Sequence, residues 1–197
     1  MATIGVLVFP DAEELDFVGP YEVFASAAAM NGTDRVLLLG EGTAPLRCAK
    51  GMVVVPAVAW ADAPALDVLL VPGGDGRRRQ MHNPAMLDLL RAQAPGCSWI
   101  TSVCTGAFVL VAAGLATGRA VTTHWSCVEE LRQHPVTVRT DARYVVDGNV
   151  VTAAGVSAGI DMALWLVGQL HGAPFAREVQ RYIQYDPAPP YADGAAS

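Results

Sequence analysis

Basic charge is scarce in this chain of 197 residues: 13 lysines and arginines stand against 19 acidic residues, for a formal net charge of −6. A nucleic-acid partner needs a concentrated basic face, so this balance argues against one. The basic run Arg77-Arg78-Arg79 follows a glycine turn and reads either as a solvated helix start or as an anion contact. Cysteine and histidine are sparse too. Cys48, Cys97, Cys104 and Cys127 show no C-x-x-C spacing, His82, His124, His134 and His171 are scattered, and there is no H-E-x-x-H. Neither a disulfide framework nor a metal site is expected from these spacings. No uncharged apolar run approaches the roughly 20 residues that cross a bilayer. The N-terminus lacks the basic start and cleavage site of a signal peptide, which predicts a cytoplasmic protein without a membrane partner.

What is present is a core. Hydrophobic residues make up 52% and charged residues 16%, which excludes disorder, and the length suits a single domain over residues 1–197 with an extended tail at 185–197. Strand and helix signals alternate along it. A first strand runs to Phe9, and a loop from Pro10 enters a helix at about Pro20, where proline suits a first helical position. Strands follow at 35–39, 52–55 (short, with antiparallel pairing suggested) and 67–71, then a helix at 84–93, a strand at 98–103 and a helix at 105–115. Beyond them lie a strand at 120–123, a helix at 126–133, an extended stretch at 136–139, a hairpin around Asp147-Gly148-Asn149, and helices at 157–170 and 174–184. This order predicts a doubly wound α/β sandwich with a mostly parallel sheet and helices on both faces. Its functional groups should collect where the strands end.

Three strand ends draw attention: the loop with Asp16, the Gly73-Gly74 turn, and Cys104 at the joint between a strand and a helix. A sharp strand-to-helix turn holds its junction residue in a strained conformation beside the free N–H groups of the helix, a geometry that suits a nucleophile and lowers a thiol pKa. A cysteine at such a place is otherwise a small buried hydrophobe. The N–H of Thr105 follows the sulfur, and Gly73 and Gly74 allow a close backbone approach or form an ordinary turn. Asp16 either caps the helix that follows or serves as a proton-carrying partner of the thiol. His124, at a strand end 20 residues after Cys104, is either structural or a base.

The stretches Leu15-Asp16-Phe17-Val18-Gly19-Pro20, Val71-Pro72-Gly73-Gly74, Ser102-Val103-Cys104-Thr105-Gly106 and Thr122-Thr123-His124-Trp125 together resemble the DJ-1/PfpI superfamily. Within it the chain looks most like the isocyanide hydratases, a likeness that Gly155 to Asp161 and Pro187 to Tyr191 share. The resemblance implies a flavodoxin-like sandwich, a homodimer, a reactive Cys104 with Asp16 beside it, and the backbone of Gly74, Thr105 and Val156 around the sulfur as anion pocket and substrate contact. It implies no cofactor. The implied activity is hydration of an isocyanide to an N-formamide through a covalent thioimidate. The alternatives are a glyoxalase or deglycase with the same thiol, or a non-catalytic ligand- or redox-sensing domain of the kind found in AraC-type regulators. Thr105 stands where PfpI-type proteases carry histidine, which removes the base of a protease reading.

Overall fold

The computed structural model describes residues 1–191, so the expected tail is covered to Tyr191 and its last residues, 192–197, lie outside the described residues. In chain order the elements are β1 (Thr3–Leu7), α1 (Glu14–Asn31), β2 (Arg35–Gly40), β3 (Leu46–Arg47), β4 (Val53–Val54), β5 (Val58–Ala59), β6 (Val68–Val71), α2 (Arg77–Gln80) and α3 (Pro84–Gln93). The second half holds β7 (Trp99–Val103), α4 (Gly106–Ala112), β8 (Ala120–Val121), α5 (Val128–Leu131), β9 (Thr137–Val138), β10 (Tyr144–Asp147), β11 (Val150–Ala153), α6 (Ala158–His171) and α7 (Ala173–Tyr182).

Seven strands form the main sheet in the order β10-β11-β7-β6-β1-β2-β5. All its pairs are parallel except β10 with β11, the hairpin at one edge. The aliphatic runs of β6 and β11 are buried at every position, as strands covered on both faces require. One cover is α1 packed with α6 and α7, and the other is α3 and α2 packed with α4. Each fully buried Leu, Val or Phe removed from water contributes about 1.5–3 kcal/mol, and the buried side chains of both layers join in a single cluster. The short strands β3 and β4 pair antiparallel, as the sequence suggested, while β8 and β9 form a separate parallel pair.

The helix expected at Pro20 starts earlier. α1 begins at Glu14 and carries Pro20 inside it. Glu14 places negative charge in the first turn, the buried Asp16, Phe17, Gly19 and Pro20 pack this start of the helix into the core, and the prolyl ring merely denies the Asp16 carbonyl its helical donor. The consequence is local but decisive: Asp16 belongs to a helix start fixed against the sheet rather than to a free loop.

Strand order reverses between β1 and β6, because β1 leads outward to β2 while β6 lies on its other side. Open α/β sheets carry their clefts at such a switch, beyond the carboxyl ends of the strands. The chain leaves β1 toward Asp16, leaves β6 into Pro72-Gly73-Gly74, and leaves β7 directly into Cys104.

Candidate active site

Cys104 sits in the left-handed region with φ 56°, a conformation that side chains rarely adopt. Two bonds hold it there: its N–H donates to the Ala153 carbonyl at 3.0 Å, and its own carbonyl accepts the Thr123 hydroxyl at 2.9 Å. A neighbour makes the turn possible. A Cβ on Gly106 would stand 2.3 Å from the Val71 carbonyl oxygen, so only glycine lets α4 start this close to β6. The strained elbow expected from the sequence is therefore present.

The expected electrostatics differ. The residue is 7% exposed, and burial first, then the charge of Asp16, push its thiol up from 9.0 to about 12. The Thr105 backbone N–H and hydroxyl favour the thiolate but are outweighed. Sequence reasoning counted the helix end and missed the cost of desolvating sulfur beside a carboxylate.

That carboxylate is Asp16, with 0% exposure. Its Oδ2 accepts the Gly73 N–H at 2.9 Å, and Oδ1 has no regular hydrogen-bond partner among the described residues. Burial raises Asp16 from 3.8 to about 7; the Gly73 N–H and the Cys104 thiol act in the opposite direction. The side chain is not a helix cap, since the N-cap position of α1 is Glu13 and Asp16 is spent on the β6 turn. A buried carboxyl near neutrality is present in both its protonated and its ionised form at physiological pH, as a proton carrier beside a thiol requires.

The remaining residues arrange themselves around this pair. Gly74 gives its N–H to Thr105 Oγ1 at 3.1 Å, so its amide orients a hydroxyl and does not face an open anion pocket. Val156, at φ 29°, is strained for a β-branched residue and lines a cavity of about 230 Å3 together with Gly74, Cys104, Thr105 and His124. His124 is half-buried, and its Nδ1 is engaged with the Ser126 hydroxyl at 2.8 Å. All six expected site residues thus belong to one locality.

Arg77 was missed. Its sequence context suits a solvated helix start or an anion contact, yet it is 2% exposed and lines the Cys104 cavity. Its Nη2 pairs with Glu130 Oε2 at 2.6 Å, and its guanidinium carbon lies 3.9 Å from the centre of the Phe108 ring. The signal available was its place four residues after Gly73, in the turn that leaves β6. Ser126 and Cys127 also line the cavity and carried no sequence signal.

A parallel sandwich whose switch point presents a strained cysteine elbow defines a flavodoxin-like α/β protein of the nucleophile-elbow kind. The chain belongs to the DJ-1/PfpI family, whose model matches residues 2–169. It is 40% identical over 192 residues to the isonitrile hydratase of Pseudomonas putida, covering 98% of this chain and 82% of that protein. It is 30% identical over 164 residues to a glutathione-independent glyoxalase of Caenorhabditis elegans, covering 82% of this chain and 84% of that protein. Among solved structures, a THiJ/PfpI family protein from Pseudomonas syringae matches with a TM-score of 0.90 at 34% identity, over 98% of this chain and 79% of that one.

Proposed function

We propose that this chain hydrates isocyanides to N-formamides, with Cys104 as nucleophile and Asp16 as the group that moves the proton. The observation that carries this reading is the buried contact between the Cys104 thiol and a carboxyl held near neutrality. The identity to an isonitrile hydratase supports the substrate class.

The terminal carbon of an isocyanide must gain a bond to a nucleophile and a bond to hydrogen. Sulfur forms the first as Asp16 takes the thiol proton and passes it to that carbon, leaving a thioimidate, R–N=CH–S–Cys104. Water then adds to the same carbon while nitrogen gains a proton. The C–S bond breaks, the N-formamide departs, and the sulfur regains its proton through Asp16. One water is consumed, and no electrons are exchanged with another group. Negative charge on the leaving sulfur is met by the N–H and hydroxyl of Thr105, the latter held by Gly74. Val156 and His124 line the cavity beside the sulfur, His124 in a supporting role.

In this reading the chain works as a single domain over residues 1–197, in the cytoplasm and as a homodimer, with no cofactor and no nucleic-acid partner. Met52, Val53 and Val55 are exposed apolar side chains on and beside the β3–β4 hairpin, and they support association with a second copy. No helix of the described residues is long and apolar enough to cross a membrane.

A second reading, conversion of 2-oxoaldehydes by the same thiol, is favoured by the glyoxalase relative. Purified protein given cyclohexyl isocyanide and, separately, methylglyoxal tests both. N-cyclohexylformamide with a transient adduct on Cys104 is the expected result. Lactate from methylglyoxal without formamide establishes the second reading, and binding without turnover of either establishes a ligand-sensing domain.

A further inference from the structure

The cavity at Cys104 is small. Its volume of about 230 Å3 lies below the roughly 300–1,000 Å3 of pockets that hold a whole small molecule, so it accommodates a reacting group and little else. It does not end there. A larger space of about 630 Å3 shares His124, Ser126 and Val156 with it, so the two spaces adjoin at these three residues.

The lining of this outer space states what it would hold. Trp125 lies on it and is 80% exposed, an unusual place for the most expensive side chain to leave in water. Among the described residues its indole is engaged with one aromatic neighbour, the His124 ring, at 5.5 Å between centroids and tilted by 38°. Val128 and Ala154 add apolar lining beside the hydroxyls of Thr122, Thr123 and Thr140. The charged residues at the rim, Glu129 and Arg132, are paired with each other, so the space offers no unbalanced charge for an ionic group.

From this we infer that Trp125 forms a substituent subsite, and that the electrophile attacked by Cys104 carries a neutral, planar aromatic group seated against the indole. For the reaction proposed above, the substrates are aryl isocyanides in preference to small alkyl ones. The inference rests on that reading for its reaction, but the subsite itself depends only on the substituent passing from the Cys104 cavity into the adjoining space at His124, Ser126 and Val156. Offset or edge-on stacking of two aromatic rings is worth about 0.5–1.5 kcal/mol, so the preference should be about two- to tenfold.

Two measurements on the intact purified chain separate the subsite from the reaction. The first compares alkylation of Cys104 by iodoacetanilide and by iodoacetamide, normalised to a free cysteine derivative. The second compares kcat/KM for phenyl isocyanide and ethyl isocyanide. Wild-type protein should favour the aryl reagent about two- to tenfold in the normalised alkylation ratio, Trp125→Ala should lower both ratios by that factor, and Trp125→Phe should keep most of the preference. A ratio near one in the wild type, or one that Trp125→Ala leaves unchanged, overturns the subsite. Loss of dimer with an unchanged ratio likewise overturns it and assigns the indole to a second copy of the chain. If neither isocyanide is hydrated while the alkylation preference depends on Trp125, the subsite stands and the isocyanide reading falls.

Discussion

Gly73 gives its backbone N–H to Oδ2 of Asp16 at 2.9 Å, and at the last residue of the loop that leaves β1 the N–H of Glu13 gives a bond to the Gly73 carbonyl at 3.0 Å. The loops that leave β1 and β6 are therefore stitched backbone to backbone and backbone to carboxylate. Asp16 is positioned by main-chain atoms, which do not repack when a distant side chain changes. That explains how a residue buried without a counter-ion can keep one orientation toward the thiol.

Gly73→Ala should break this stitch. An added Cβ would lie 2.5 Å from the Thr105 nitrogen, 2.6 Å from its hydroxyl and 2.9 Å from Asp16 Oδ2, so it meets all the groups that serve the sulfur. Turnover should fall on the order of 10²-fold, since misplacement by about an ångström has that effect. A kinetic comparison with wild type checks it, and near-normal turnover would show that the turn can yield.

The thiol gives a second test. Asp16 is the second cause, after burial, of the raised Cys104 value, so Asp16→Asn should lower the thiol's titration midpoint below about 12. Ultraviolet absorbance of the thiolate follows this directly, with Cys104→Ser as the blank. A midpoint that stays put would mean that desolvation alone sets it.

The Arg77–Glu130 pair predicts a stability effect with a pH window. Arg77 lowers the Glu130 carboxyl below its usual 4.5, so the pair's contribution is present above that value and is lost as pH falls through the lower folded one. Glu130 is 40% exposed and screened, which limits the contribution to about 1 kcal/mol. Glu130→Gln should lower Tm by about 2–4 °C at neutral pH and by much less near pH 3, measured by thermal melts at both.

Much of this architecture was legible because it follows from local pattern. Buried aliphatic runs such as Val68–Val71 and the β-branched stretch ending at Val103 announce central strands, and a small-residue helix after Cys104 announces the elbow. The meeting of the Asp16, Gly73-Gly74 and Cys104 segments followed from the alternation of strands and helices, which puts all three beyond the carboxyl ends of strands. Three things were hidden because they depend on neighbours far along the chain. The start of α1 was masked by Pro20, whose preference for a first turn was overridden by packing. Arg77 looked solvated because its partners, Phe108 and Glu130, come from other elements. The acidity of Cys104 was misjudged because burial is a property of the assembled fold, not of the elbow sequence.

Asp16→Asn tests the proton-carrying role against a purely structural one, and here activity and stability should move in opposite directions. The folded value of Asp16, about 7, lies above its usual 3.8, so the fold favours the neutral carboxyl. The corresponding stability is complete below 3.8 and lost as pH rises through about 7, a change of as much as about 4 kcal/mol for a shift of this size. Asparagine carries no charge at any of these pH values and still offers an oxygen to the Gly73 N–H. The variant should therefore lack the wild-type decline between pH 4 and pH 7 and be the more stable protein at pH 8. Its hydration rate should nonetheless fall by roughly 10²-fold or more, the usual scale for losing a general acid–base group. Thermal melts across this pH range, run beside turnover measurements at pH 8, decide the matter. A variant that is stabilised and still hydrates isocyanide near the wild-type rate would remove Asp16 from the reaction and leave it as a buried tie between two loops.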